Sequence, residues 1–160
     1  MNSRELGLTI ALRRTHLGLS QERFAKFCGL SRLTIYRLER GISTNVGRDE
    51  FISLLTLLGL NNIPLKSKLN FNSLEMVCVS VSVSYKSSLH STDLSLALVT
   101  GVLPEKIYPH IATFLDETPL SLIISVVEAV AQLNQIPPKL IWKNLIDWAH
   151  EMNSPRIAWL

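Results

Sequence analysis

The side chains able to do chemistry in this 160-residue chain are mostly cations, and they are concentrated near its front. Residues 1–60 carry nine Lys/Arg and five Asp/Glu, a net +4, whereas residues 61–160 carry seven and eight, a net −1. A basic excess of that kind is a surface for a polyanion. Arg32 and Arg37 fall within one short stretch, with Leu33 and two hydroxyl residues, Ser31 and Thr34, around them. An arginine presents five N–H donors in a planar fork, suited to paired acceptors and to oxyanions. Catalysis finds no such support. His16, His90, His110 and His150 are scattered without metal-ligand spacing. Cys28 and Cys78 make neither a disulfide framework nor a metal pair. A glycine-rich phosphate loop and a nucleophile elbow are both missing. No metal, no cofactor and no enzymatic activity are expected.

Four helices must position these cations. Leu6, Ile10, Arg13/Arg14 and Leu17 sit at helical spacing, predicting a helix over 4–16 that Gly18 ends in the left-handed region. Ser20 reads as the N-cap of a second helix over 21–27, with Phe24, Ala25 and Cys28 inward. Gly29 gives a tight turn, and Ser31 caps a third helix over 32–40 with Ile35 and Leu38 inward. Gly41 ends it. A fourth helix, over 48–58, stops at Gly59. Two short helices joined by a glycine turn make a helix-turn-helix.

The run Leu6-Gly7-x-x-Ile10, Arg14-x-x-Leu17-Gly18-Leu19-Ser20-Gln21, Phe24-Ala25, Gly29-Leu30-Ser31, Thr34-Ile35-x-Arg37-Leu38-Glu39-x-Gly41 resembles the Xre, or phage-repressor, family over residues 4–60. The resemblance implies a lambda-repressor-like, five-helix-type DNA-binding domain over 1–62. It implies that the third helix enters the major groove of double-stranded DNA with its first-turn side chains at base edges. In this sequence those are Arg32 and Leu33, with Arg37 a turn on. Arginine bonds guanine bidentately, and leucine packs on a thymine methyl. Gln21 matches the family position that touches backbone or base. Ser31, Thr34 and Arg40 suit phosphates. Arg14 and Glu39 match an internal ion pair between the first and third helices, and Tyr36 faces either DNA or the fourth helix. The opening, Leu6 to Arg14, is most similar to HipB-type antitoxins. That similarity implies a dimeric repressor on a palindromic operator, autoregulation, and a cognate toxin as partner. The back half departs from that pattern. A ligand-sensing or phage-type repressor without a toxin, and an interaction module that does not bind DNA, are the alternatives.

Residues 63–75 read as a linker around Pro64 and the Asn/Ser pairs. In the following segment, 76–85, Val77, Val79, Val81, Val83 and Tyr85 alternate with Cys78 and serines. The period of two predicts a β-strand. A single strand must find a partner for its backbone, so it is expected to pair with its copy across a homodimer or with a partner protein's sheet; part of an intramolecular hairpin, or a buried helix, is the alternative. From Thr92 the pattern is helical, with Pro104, Pro109, Pro119 and Pro137-Pro138 as starts. Residues 76–160 therefore read as a strand plus a helical bundle for dimerisation or partner binding. The expected fold class is mainly α. The apolar stretch near 120–130 is interrupted by Ser121, Ser125 and Glu128, so no membrane span is expected. Residues 1–5 are polar, unlike a signal peptide, and the expected compartment is the cytoplasm.

Overall fold

The computed structural model describes the backbone of residues 2–61 and 66–160, and the side chains of 2–61 and 73–160. Its helices are α1 (Ser3–His16), α2 (Gln21–Cys28), α3 (Arg32–Glu39), α4 (Arg48–Leu57), α5 (Lys66–Ser82), α6 (Ser91–Thr100), α7 (Tyr108–Glu117), α8 (Leu120–Asn134) and α9 (Pro138–Glu151). The chain is mainly α, and no strand occurs among the described residues.

Local chemistry sets the first four helices. Asn2 and Glu5 form a capping box on α1. The Ser20 hydroxyl accepts from the Arg23 N–H at 3.0 Å, and that of Ser31 from the Thr34 N–H at 3.1 Å. Between α2 and α3, Gly29 turns the chain at φ 67°. α1 and α3 cross at Gly7, where a Cβ would stand 2.4 Å from the Leu38 carbonyl oxygen. Only glycine permits that approach. Residues 3–57 thus hold the four helices read from the residues, one fewer than the five-helix type that the resemblance implies. The next helix, α5, packs mainly on α8 and α7.

The expected strand at 76–85 is not there. Met76 to Ser82 continue α5, and Tyr85 lies beyond its end. Ser73, Val77 and Val81 are buried at i, i+4 and i+8, with Cys78 beside them. Val79 and Val83, which a strand would bury with Val77 and Val81, are 68% and 80% exposed. The Val/Ser alternation satisfies both periods, and contact with α8 selects the helical one over β propensity. A helix satisfies its own backbone, so the need for a ribbon across a dimer disappears. Ser82 ends the helix, donating to the Cys78 carbonyl at 2.6 Å and accepting from the Leu89 N–H at 2.8 Å. The Tyr85 hydroxyl meets Thr113 Oγ1 at 2.8 Å. Of the expected linker, residues 62–65 lie outside the described residues, and from Lys66 the backbone is helical.

One apolar core runs from Ile10 and Phe24 through Val127 and Ile141 to Trp159. α8 lies at its centre, with Ile123 to Ala131 all buried except the intermediate Ser125 (Glu128 included). The Trp142 indole N–H donates to the Leu17 carbonyl at 2.7 Å, tying α9 to the end of α1. Burial pushes the thiols of Cys28 and Cys78 up to about 12, with Glu75 and Asp93 adding to the effect at Cys78. At pH 8 the native thiolate fraction is then about three orders of magnitude below that of a free cysteine. Iodoacetamide is therefore expected to modify native protein only at the rate of opening, and both thiols rapidly in denaturant. Since the folded pKa is raised, this stabilisation is full below the unfolded value of about 8.5 and is lost as pH rises towards about 12. Native-state labelling as fast as in denaturant would show these sites to be open.

Candidate nucleic-acid interface

Ser31 fixes where α3 begins, and Ile35, fully buried, fixes which side faces the core. The opposite side carries Arg32, Leu33, Tyr36, Arg37 and Arg40, all exposed. These positions repeat at i, i+1, i+4, i+5 and i+8, so they form one continuous stripe. Leu33 is 53% exposed, an apolar side chain held among cations with no core to enter. Tyr36, 40% exposed, lies on the stripe, and the Arg40 guanidinium sits 5.8 Å from its ring centroid. The arrangement offers planar donors, an aromatic face and an apolar contact on one convex surface.

The remaining expected contacts are already engaged within the chain. The Ser31 and Thr34 hydroxyls meet at 2.8 Å, where they secure the cap and leave one hydroxyl hydrogen to donate outward. Gln21 is turned inward by Glu39, to whose carboxylate its amide donates at 2.8 Å. The same carboxylate receives Arg14 Nε at 2.5 Å and Nη2 at 3.1 Å, and Arg14 also donates to the Leu19 carbonyl at 2.6 Å. The pair is nearly buried, with 14% and 6% side-chain exposure. It joins α1 to α3 and, through Gln21, to the start of α2. Its work is to hold the angle between the two helices of the motif.

Three attachments to the C-terminal helices have no counterpart in the sequence reading. Arg13 forms a two-pronged ion pair with Glu128 on α8 and donates Nε to the Leu58 carbonyl at 2.7 Å. Gly18 approaches α9 closely: a Cβ there would stand 2.7 Å from the Lys139 nitrogen. Arg23 and Lys26, cations of α2, turn to the 158–160 segment. Arg23 donates to the Ala158 carbonyl at 2.9 Å, and Lys26 bonds the Leu160 oxygen. Burial there lowers the Arg23 pKa, with Glu22 acting the other way. The one sequence signal was Glu128 itself, an acid in an apolar run, which implies a buried cationic partner.

Residues 5–64 match the family model described as a helix-turn-helix domain. The match covers the stretch that holds α1 to α4. Neither the curated proteins nor the solved structures contain a match to the chain. The helix-turn-helix leaves its α3 stripe open while α1, α2 and α4 take up the contacts with the C-terminal helices. Among the described residues no group of acidic, cysteine or histidine side chains is placed to hold a metal ion, and no helix is long and apolar enough to cross a membrane.

Proposed function

We propose that this protein is a sequence-specific DNA-binding transcriptional repressor. The observation that carries the reading is the exposed stripe Arg32, Leu33, Tyr36, Arg37 and Arg40 on the second helix of a helix-turn-helix. In the major groove, Arg32 and Arg37 read guanine edges and Leu33 a thymine methyl. Arg40, the hydroxyls of Ser31 and Thr34, and the free N–H groups at the start of α3 hold phosphates. Gln21 acts through Glu39 by setting the pitch of α3, and its second amide hydrogen is available to a phosphate. A homodimer on a palindromic operator is part of the proposal, since motifs of this kind read two-fold sites. The dimer contact does not use residues 77–85 as a strand. Autoregulation and capture of a toxin rest on the resemblance of residues 6–14 to HipB-type antitoxins. Co-purification with a neighbouring gene product tests them.

The DNA reading is tested by selecting binding sequences from a random pool and titrating the selected duplex at fixed salt. Arg32→Ala and Arg37→Ala are each expected to lose roughly 1–3 kcal/mol of specific binding and to relax preference at one base position. Arg40→Ala is expected to weaken all sequences evenly and to flatten the salt dependence. Selection of no duplex, or unchanged affinity in both α3 variants, would overturn the reading in favour of a protein-interaction module.

A further inference from the structure

Met76, Val79 and Val83 follow one another at i, i+3 and i+7 along α5 and its end, opposite the Val77 and Val81 side that meets the core. They are 50%, 68% and 80% exposed. Single exposed apolar side chains are ordinary, whereas three in register on one face mark an interface. Their spacing is that of a seam between two packed helices. A groove of about 540 Å³ runs beside the stripe, between Val79, Ser82 and Val83 on one side and Leu89 and His90, ahead of α6, on the other. The two ends of the stripe carry opposite charges. Glu75 is exposed beside Met76, and Lys86 is exposed beyond Val83. The neighbours of Lys86 hold it there: the Tyr85 hydroxyl meets Thr113 Oγ1 at 2.8 Å, and His110 Nε2 donates to the Ser87 carbonyl at 2.8 Å. Neither Glu75 nor Lys86 has an ion-pair partner among the described residues.

We propose that a second copy of this chain docks on the stripe, with the two α5 helices antiparallel. The charges select that occupant. A stripe acidic at one end and basic at the other complements its own copy turned end for end, which is what a two-fold axis produces. In that register Val79 meets the partner's Val83, and Glu75 faces the partner's Lys86. A parallel pair would instead set each charge against its like. Met76, flexible and suited to irregular gaps, is placed to enter the partner's groove. The stripe is short beside the roughly 20–30 residues a side of a standard interface, so the pair is weak in free solution. Two copies held on one duplex would be joined at a high effective concentration. α5 packs chiefly on α8 and α7, and α3 on α1 and α2, so an α5 pair leaves both α3 stripes open. The role on DNA rests on the function proposed above, whereas the association itself does not.

Sedimentation of the full chain over a wide concentration range reads the association, and a dimer with a Kd of roughly 1–100 μM is expected. Val79→Lys is expected to weaken it at least tenfold. The new lysine stands four residues after Glu75, an arrangement that favours the helix, so the variant is expected to melt no lower than wild type. Glu75→Lys and Lys86→Glu are each expected to weaken the dimer several-fold, and the double variant Glu75→Lys/Lys86→Glu to restore it. A chain that stays monomeric throughout, or a dimer indifferent to Val79→Lys, overturns the docking site. A double variant no better than the single ones overturns the antiparallel arrangement. Val79→Lys is also expected to bind the selected duplex at least threefold more weakly, and an unchanged duplex Kd overturns the role of this contact on DNA. If no duplex is selected, the DNA reading has failed, and sedimentation still decides the docking.

Discussion

Glu39→Ala is expected to destabilise the protein by about 3–5 kcal/mol, because it leaves the Arg14 guanidinium nearly buried without its counterion. The Glu39 carboxylate accepts three donors, Arg14 Nε, Arg14 Nη2 and Gln21 Nε2. Only the Leu19 carbonyl remains to Arg14 when it is gone. For a chain of this size the loss corresponds to a fall in Tm of roughly 6–20 °C. Arg14→Met is expected to cost a similar amount, since the stranded carboxylate, 6% exposed, keeps only the Gln21 amide. The double variant Arg14→Met/Glu39→Leu is expected to recover much of the loss. Apolar side chains of similar volume avoid the desolvation that the ion pair must offset. Recovered stability need not bring recovered DNA affinity. Without Glu39, Gln21 is released and the angle between α2 and α3 is no longer fixed by hydrogen bonds. A thermal melt and a duplex titration of the same three variants separate the two effects. Single variants that melt with the wild type would place the pair in water and the α1–α3 packing elsewhere.

The parts of this network that were legible in the sequence are those with local signatures. Ser20, Ser31 and Gly29 each act within four residues of themselves, so the two helices of the motif and the turn between them follow from the chain directly. Arg14 and Glu39 are only 25 residues apart, and their pairing was carried by the family resemblance. Arg13 and Glu128 are 115 residues apart, and no local rule joins them. The 77–85 segment failed for a different reason. Its valines at 77 and 81 fit one helical face as well as one strand face, and Cys78 and Ser80 between them are small enough for either. What decides between the two is the surface of α8, which is set by residues 120–134. The exposed Val79 and Val83 are the visible result of that choice.

The C-terminal segment gives the second large effect. Trp159→Ala is expected to cost about 3–5 kcal/mol, the range for emptying a site built around a large aromatic side chain. Trp159 is fully buried. Its ring meets Phe27 of α2 edge-on, with centroids 5.8 Å apart, and its indole N–H donates to the Leu115 carbonyl at 2.9 Å. It therefore touches the helix-turn-helix and α7 at once. Its backbone carbonyl receives His150 Nε2 at 2.8 Å, which holds the segment against α9. Trp159→Phe keeps most of the packing and loses the N–H donor, so about 1–3 kcal/mol is expected from the unpaired carbonyl and the smaller ring. The larger replacement has a consequence beyond stability. The Ala158 and Leu160 oxygens that hold Arg23 and Lys26 move with the tryptophan. Releasing two cations of α2 beside the DNA-facing helix is expected to strengthen binding to unrelated duplex at low salt and to steepen its salt dependence. Hydrogen exchange at residues 154–160, together with duplex titrations at two salt concentrations below the melting range, reads both effects. Fast exchange with an unchanged salt dependence would show that Arg23 and Lys26 lie out of reach of DNA. A melt within about 1 kcal/mol of wild type would show that the segment is not seated in the core as described.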